Sequence, residues 1–219
     1  NRGARVMLAD VNEEGLIKVA STMGNQVDTV VCDVADAGAV QDAAAKTEDR
    51  FGKVHILVNN AGVGAGGAPG EIPMKDWNWV VGINLMGVIH GVETFVPMIK
   101  SHGEGGHIIN TASMAGHFAG AGTGAPYNAT KFAVVGYSET LRAELLEDKI
   151  GVSVLCPGWV NTDIHKSGFR KPSGVPDLEA AMADPQFQMM DAVLKGGLSP
   201  DVVGEWTAEC MEANRMYVF

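Results

Sequence analysis

Short apolar runs alternate along the chain with longer segments whose apolar positions recur every three or four residues. Residues 5–9 form the first run, which stops at Asp10, and residues 13–23 follow with helical spacing. A β-branched run at 27–31 ends at Cys32-Asp33, and a helical segment at 37–51 is closed by Gly52 as a C-cap. The third run, 54–58, ends at Asn59-Asn60-Ala61-Gly62. A glycine-rich loop then leads into a long helical stretch at 74–101, interrupted by glycines. Residues 107–110 give a fourth strand, 126–148 a helix with Leu141, Leu145 and Leu146 at core spacing, and 152–155 a fifth strand that stops at Cys156-Pro157-Gly158. Strands apolar on both faces and alternating with helices predict a parallel sheet covered on each side, a doubly wound α/β domain over residues 1–219.

From 161 to 199 the alternation fails: Pro172, Pro176 and Pro185 break it, yet Phe169, Met182, Phe187, Met189 and Met190 are apolar. An irregular insertion rich in apolar side chains reads as a substrate loop or lid, at about 163–198, rather than a linker. Both ends are abrupt. The chain enters an apolar run almost at once, and its last residues look like half a strand, so both ends are expected to be truncated.

Composition narrows the function. With 46% of the 219 residues hydrophobic and 19% charged, the chain can bury a full core. A net charge of −10 without a basic run argues against a nucleic acid partner, which requires clustered cations. Cys32, Cys156 and Cys210 are widely spaced among apolar neighbours, as expected of a reducing, cytoplasmic setting. No apolar stretch is expected to span a membrane. The six histidines show no metal-binding spacing, so no metal site is expected.

The chemistry-bearing candidates sit at predicted strand ends and on one helix. Tyr127 and Lys131 are four apart on a helix, which stacks a phenol and an ammonium on one face, and a neighbouring cation should lower the phenol pKa. Ser113 follows the fourth strand and is placed to donate to a substrate oxygen. Asn84, in an apolar helical run, needs buried partners, which a kinked helix holding a water would supply. Asn60, Ala61 and Gly62 lie where a ribose could approach the backbone.

Taken in order and spacing, Asn59-Asn60-Ala61-Gly62, Asn84, Ser113, Tyr127 with Lys131, and Pro157-Gly158 followed by Thr162 resemble the short-chain dehydrogenase/reductase family. The resemblance implies a Rossmann-type fold and a nicotinamide-dependent oxidoreductase interconverting a secondary alcohol and a ketone. In that reading Tyr127 exchanges the proton, Ser113 orients the substrate oxygen, Lys131 lowers the phenol pKa and holds the nicotinamide ribose, and Asn84 anchors a water. Asp10 would accept from the adenosine ribose and repel a 2′-phosphate, favouring NAD over NADP. Asp33 and Val34 would meet the adenine, while Pro157, Gly158, Val160 and Thr162 would cradle the carboxamide. A homodimer or homotetramer is implied. The run from Trp77-Asn78-Trp79 through Asn84 to Phe95-Val96-Pro97 is similar to bacterial dehydrogenases of aryl secondary alcohols, and Trp159 is expected to face the substrate.

One departure stands out. The family's first strand and its Thr-Gly-x-x-x-Gly-x-Gly turn are not found. Gly62-Val63-Gly64-Ala65-Gly66-Gly67 mimics a phosphate loop, but Pro69 and a Gly-Glu-Ile-Pro run follow instead of a helix. The lost strand would lie between residues 5–9 and 54–58. The alternative to an enzyme is therefore a binding or regulatory protein that keeps only the scaffold.

Overall fold

The computed structural model describes residues 2–119, 124–175 and 177–219, so Pro176 lies outside the described residues. Strand and helix alternate as the pattern predicts: β1 (Val6–Asp10), α1 (Glu13–Ala20), β2 (Val27–Val31), α2 (Ala37–Phe51) and β3 (Ile56–Asn59). Then come α3 (Met74–Val81), a π turn (Gly82–Met86), α4 (Gly87–His102), β4 (Gly106–Thr111), α5 (Ala125–Glu144) and β5 (Ile150–Leu155). All strand pairs are parallel. The hydrogen-bonded order is β1-β2 in one sheet and β3-β4-β5-β6 in a second, where β6 is Tyr217–Val218. Among the described residues no strand bridges β1 and β3. The apolar side chains beside the break are left open, with Ile56 at 42% and Val58 at 52% exposure.

Local chemistry sets the helix boundaries. Asp36 caps α2 by accepting from Gly38 N at 2.8 Å, an interaction that contributes about 0.5–2 kcal/mol. Asn12 caps α1 by accepting from Gly15 N. The main core lies between β3–β5 and helices α4 and α5, where Ile99, Ile108, Leu141 and Val152 pack together. A second cluster joins Val88, Val134, Val154 and Cys156 nearer the strand ends. Asn59, Asn110 and Ser138 form a polar thread through this packing. Asn59 Nδ2 donates to Asn110 Oδ1 at 2.9 Å, and Asn110 Nδ2 donates to Ser138 Oγ at 2.9 Å.

Two expectations need correction. The stretch 161–199 is more regular than its prolines suggest. It holds a 3₁₀ turn (Ile164–Arg170), α6 (Leu178–Ala183) and α7 (Pro185–Lys195), followed by α8 (Pro200–Glu212). Pro185 and Pro200 sit in the first turn of their helices, where a missing N–H is tolerated. The other concerns membranes: the run Met74–His102 is long and apolar enough to cross one by length and composition. The glycines that seemed to divide it are accommodated within continuous helix. Its apolarity has a packing reason, since Val80, Val88, Val92 and Ile99 are buried in the fold.

Burial also gives the fold an acid limit. His107 on β4 is 7% exposed and donates from Nε2 to Ser153 Oγ, whose own proton goes to Arg215 O. Desolvation, aided by Arg142, lowers its pKa from 6.5 to about 4. The unfolded chain therefore binds the extra proton first, and stability falls as pH drops from 6.5 toward about 4, by up to about 3 kcal/mol. Urea unfolding at stepped pH should show this slope, and His107→Gln should flatten it. A slope unchanged in the variant would contradict the assignment.

Candidate active site

The C-terminal ends of β1, β3, β4 and β5 open onto one cavity of about 760 Å³, within the size range of ligand sites. Asp10 lines it from β1, Asn60, Ala61 and Gly62 from the loop after β3, Ser113 from the turn after β4, and Pro157 and Gly158 from the loop after β5. Helix α5 adds Tyr127 and Lys131, and Val160 and Thr162 complete the wall below the lid. In a parallel sheet this edge is where side chains from separate strands converge on a ligand.

Three side chains meet there. Ser113 is extended (φ −175°) and its Oγ accepts from Ala115 N, opening a 3₁₀ turn (Met114–Gly116) that folds back on α5. That approach needs a glycine, because a Cβ on Gly116 would stand 2.8 Å from Lys131 O. Ser113 and Tyr127 line the same wall, and the Ser113 hydroxyl favours the ionised form of the phenol. Lys131, 3% exposed, donates from Nζ to Thr111 O at 2.8 Å and lies 5.5 Å from the Tyr127 ring centroid, over the ring. The helical spacing thus brings phenol and ammonium together as expected.

The electrostatics differ from expectation. Burial raises the Tyr127 pKa above its usual 10, partly offset by the Ser113 hydroxyl. Lys131 does not lower it, because the ammonium is itself buried without a carboxylate and is pulled down from 10.5 to about 8. Its direct partner is a carbonyl, not the phenol oxygen.

Asn84 sits inside the π turn and is fully buried. It is held by protein rather than by a water alone: Oδ1 accepts from Val63 N at 2.8 Å, and Nδ2 donates to Val63 O at 2.9 Å and to Thr130 Oγ1 at 3.3 Å. Asn84 therefore fixes the loop after β3. A Cβ on Gly62 would come within 3.5 Å of Asn84 Oδ1 and 3.6 Å of Lys131 Nζ.

Not every candidate converges. Asp33 and Val34 do not line the cavity: Asp33 Oδ1 accepts from Ala35 N, Val34 O bonds His90 Nδ1, and the Val34 side chain packs under Gly87. Trp159 is 54% exposed and lies outside the lining, so it does not face the cavity. Phe169 and Phe187 pack on each other at 5.0 Å instead. The glycine run 62–67 opens no helix, since α3 begins only at Met74.

Comparison with known proteins gives the same answer by a separate route. The family profile described as short chain dehydrogenase matches residues 1–172. The chain belongs to this family. It is 32% identical over 225 positions to a C alpha-dehydrogenase of Sphingobium sp. strain SYK-6, covering 99% of this chain and 72% of that protein. It is 30% identical over 233 positions to a CLA biosynthesis dehydrogenase/reductase of Lactiplantibacillus plantarum, covering 100% and 79%. A short chain dehydrogenase/reductase from Burkholderia phymatum, solved in complex with NAD, superposes with a TM-score of 0.88 at 38% identity, covering 98% of this chain and 79% of that one. The protein is accordingly an oxidoreductase with a Rossmann-type fold that uses a nicotinamide cofactor and acts on a small molecule.

Several residues of this dehydrogenase's site escape the sequence reading. Thr111 supplies the carbonyl that holds Lys131, and Thr130 backs Asn84. The segment 163–198 is tied to the loop after β3 and to α3. Ser167 Oγ accepts from Gly64 N at 2.8 Å, and the buried Asp76 carboxylate accepts from Ser173 N and Oγ. Lys166 and Arg170 of the 3₁₀ turn line the cavity. Only the out-of-place Asp76, an acid on an otherwise apolar helix face, left a signal.

Proposed function

We propose that this dehydrogenase interconverts a secondary alcohol and a ketone with NAD, using Tyr127 as the proton-exchanging residue. The observation that carries the reading is Ser113, Tyr127 and Lys131 together on one cavity wall, with Lys131 Nζ 5.5 Å from the Tyr127 ring centroid. The residues present fit a nicotinamide dinucleotide: the cavity is large enough, Asp10 stands at one strand end as a ribose acceptor, and the 157–162 loop lines the wall nearest Ser113. Lys131 uses one N–H on Thr111 O, so two remain for ribose hydroxyls. When bound, the dinucleotide supplies the hydride donor or acceptor and, oxidised, a positive ring.

The chain's own groups do the rest. Ser113 holds the substrate oxygen against Tyr127. In ketone reduction the phenol, kept protonated by burial, donates its proton to that oxygen. In alcohol oxidation the phenolate form of Tyr127, which the Ser113 hydroxyl favours against burial, takes the proton. Asn84 fixes the Val63 backbone beneath this wall. The run from Trp77-Asn78-Trp79 through Asn84 to Phe95-Val96-Pro97, similar to bacterial dehydrogenases of aryl secondary alcohols, supports that substrate class. The direct test is dinucleotide reduction by a panel of aryl and alkyl secondary alcohols, and failure of every alcohol with both NAD and NADP would overturn the proposal.

Cofactor choice follows from Asp10, whose carboxylate lines the cavity while accepting from Asn12 N at 2.9 Å. It would meet a 2′-phosphate with like charge. Asp10→Ala should narrow the preference for NAD over NADP by about tenfold, roughly 1.4 kcal/mol. Ratios of kcat/KM with the two cofactors measure this, and a wild-type preference for NADP would contradict it.

A further inference from the structure

The strand ends opposite the active site carry a second cluster of donor side chains. Lys53, Val54 and His55 lead into β3, and α4 ends at His102, where Gly103 turns the chain in the left-handed conformation (φ 69°) and presents Glu104. The ligand atoms of His55, His102 and Glu104 all lie within 4.8 Å of one another, and the two imidazole rings are 4.6 Å apart.

His102 carries the decisive detail. Its Nε2 lies 2.9 Å from Val54 O, an acceptor only, so Nε2 bears the proton. The other nitrogen, Nδ1, keeps its lone pair as an acceptor, engaged by Glu104 N at 3.2 Å, a bond that opens for Nδ1 to take an ion. An imidazole whose second nitrogen donates to a backbone carbonyl is oriented and tautomerically fixed as metal-binding histidines are. Glu104 Oε2 faces His55 Nε2 at 2.7 Å, and Glu104 Oε1 accepts from Lys53 Nζ.

We propose that His55, His102 and Glu104 bind a divalent transition-metal ion of the zinc class. Two imidazoles and one carboxylate form a borderline donor set that favours Zn²⁺ over Mg²⁺ or Ca²⁺, which take oxygen. Tetrahedral coordination at about 2.0–2.2 Å places ligand atoms about 3.4 Å apart, with a water in the fourth position. His55 Nε2 and Glu104 Oε2, at 2.7 Å, are already closer than this, and both side chains are exposed enough to adjust. Lys53 engages the other carboxylate oxygen, Oε1, and its exposed stem can swing clear as the ion enters.

The site is distinct from the active site. His55 precedes β3 and Asn60 follows it, so at about 3.3 Å per residue the two lie roughly 16 Å apart. An ion there would tie the start of β3, the strand beside the break in the sheet, to the end of α4. It acts on the fold rather than on hydride transfer.

Titration of the full chain with ZnCl₂ by calorimetry, paired with thermal melts, tests the proposal. One equivalent should bind with micromolar affinity, and zinc at about 100-fold over Kd should raise Tm by about 5–10 °C, while Mg²⁺ does nothing. His55→Gln and Glu104→Gln alter exposed side chains and should each weaken binding at least tenfold. His102→Gln, which can still donate to Val54 O, should do the same. Dinucleotide-linked turnover of His55→Gln without zinc should match the wild type. No saturable binding, or equal affinity in all three variants, would overturn the proposal.

Discussion

Replacing Tyr127 with phenylalanine is expected to reduce kcat by about 10²–10⁴, the usual contribution of a positioned acid or base. The ring keeps its packing on Lys131, whose Nζ lies over it at 5.5 Å, and only the hydroxyl is lost. Cofactor affinity should therefore stay within about threefold of wild type, because no proposed cofactor contact but the hydroxyl is removed. Ser113 Oγ still accepts from Ala115 N, so the turn that presents it persists. Steady-state rates with dinucleotide binding measured by fluorescence separate the two effects. A fall in kcat below tenfold, or a loss of affinity as large as the loss of rate, would contradict the role given to Tyr127.

Replacing Lys131 with methionine should separate function from stability in the opposite way. Its ammonium is buried with a carbonyl as its partner, and burial pulls its pKa from 10.5 to about 8. Below about 8 the folded protein carries the full cost of that charge, up to about 3 kcal/mol. Between about 8 and 10.5 the unfolded chain binds more protons, so this group makes stability rise with pH. Methionine fills similar space without charge, and leaving Thr111 O unpaired costs about 1–3 kcal/mol. The two changes nearly cancel, so stability at neutral pH should remain within about 2 kcal/mol of wild type while the alkaline rise disappears. Activity behaves otherwise. The ribose donors and the positive charge beside Tyr127 both vanish, so kcat/KM should fall by at least about 10² and dinucleotide Kd should rise about tenfold or more. A variant that melts far below wild type, or that retains cofactor affinity, would show that Lys131 is chiefly structural. Such a buried, unpaired cation fits a residue kept for chemistry at the expense of stability.

Much of this was legible in the sequence because the signals were periodic or local. Strands buried on both faces give continuous apolar runs, and β2 and α2 have the predicted bounds. The Tyr127 and Lys131 spacing translates directly into a shared helix face, and Ser113 follows its strand closely enough that its position is fixed by β4. What escaped depends on burial and on distant partners. The phenol pKa was misjudged because a neighbouring cation is visible in sequence, whereas the desolvation of both groups is not. Asn84 pairs with Val63, a backbone contact that leaves no residue-type signature. Asp33 is exposed with its Oδ1 accepting from Ala35 N, and Val34 packs against Gly87 with its carbonyl on His90, contacts that a motif does not reveal. The helices within 161–199 are hidden by its prolines, because proline at the first helical turn permits a helix that interior proline would break. The histidine and glutamate cluster combines residues from two segments that no local spacing rule connects.

The central claim is that Ser113, Tyr127 and Lys131 assemble a site in which hydrogen moves directly between a secondary carbinol carbon and a nicotinamide, with Tyr127 handling only the proton. Its most direct test uses a secondary alcohol deuterated at the carbinol carbon, followed by mass analysis of the dinucleotide formed in ordinary water. The account predicts that one deuterium per turnover appears in the reduced dinucleotide and none in the solvent. Deuterium lost to water, or product formed without labelled dinucleotide, would contradict it.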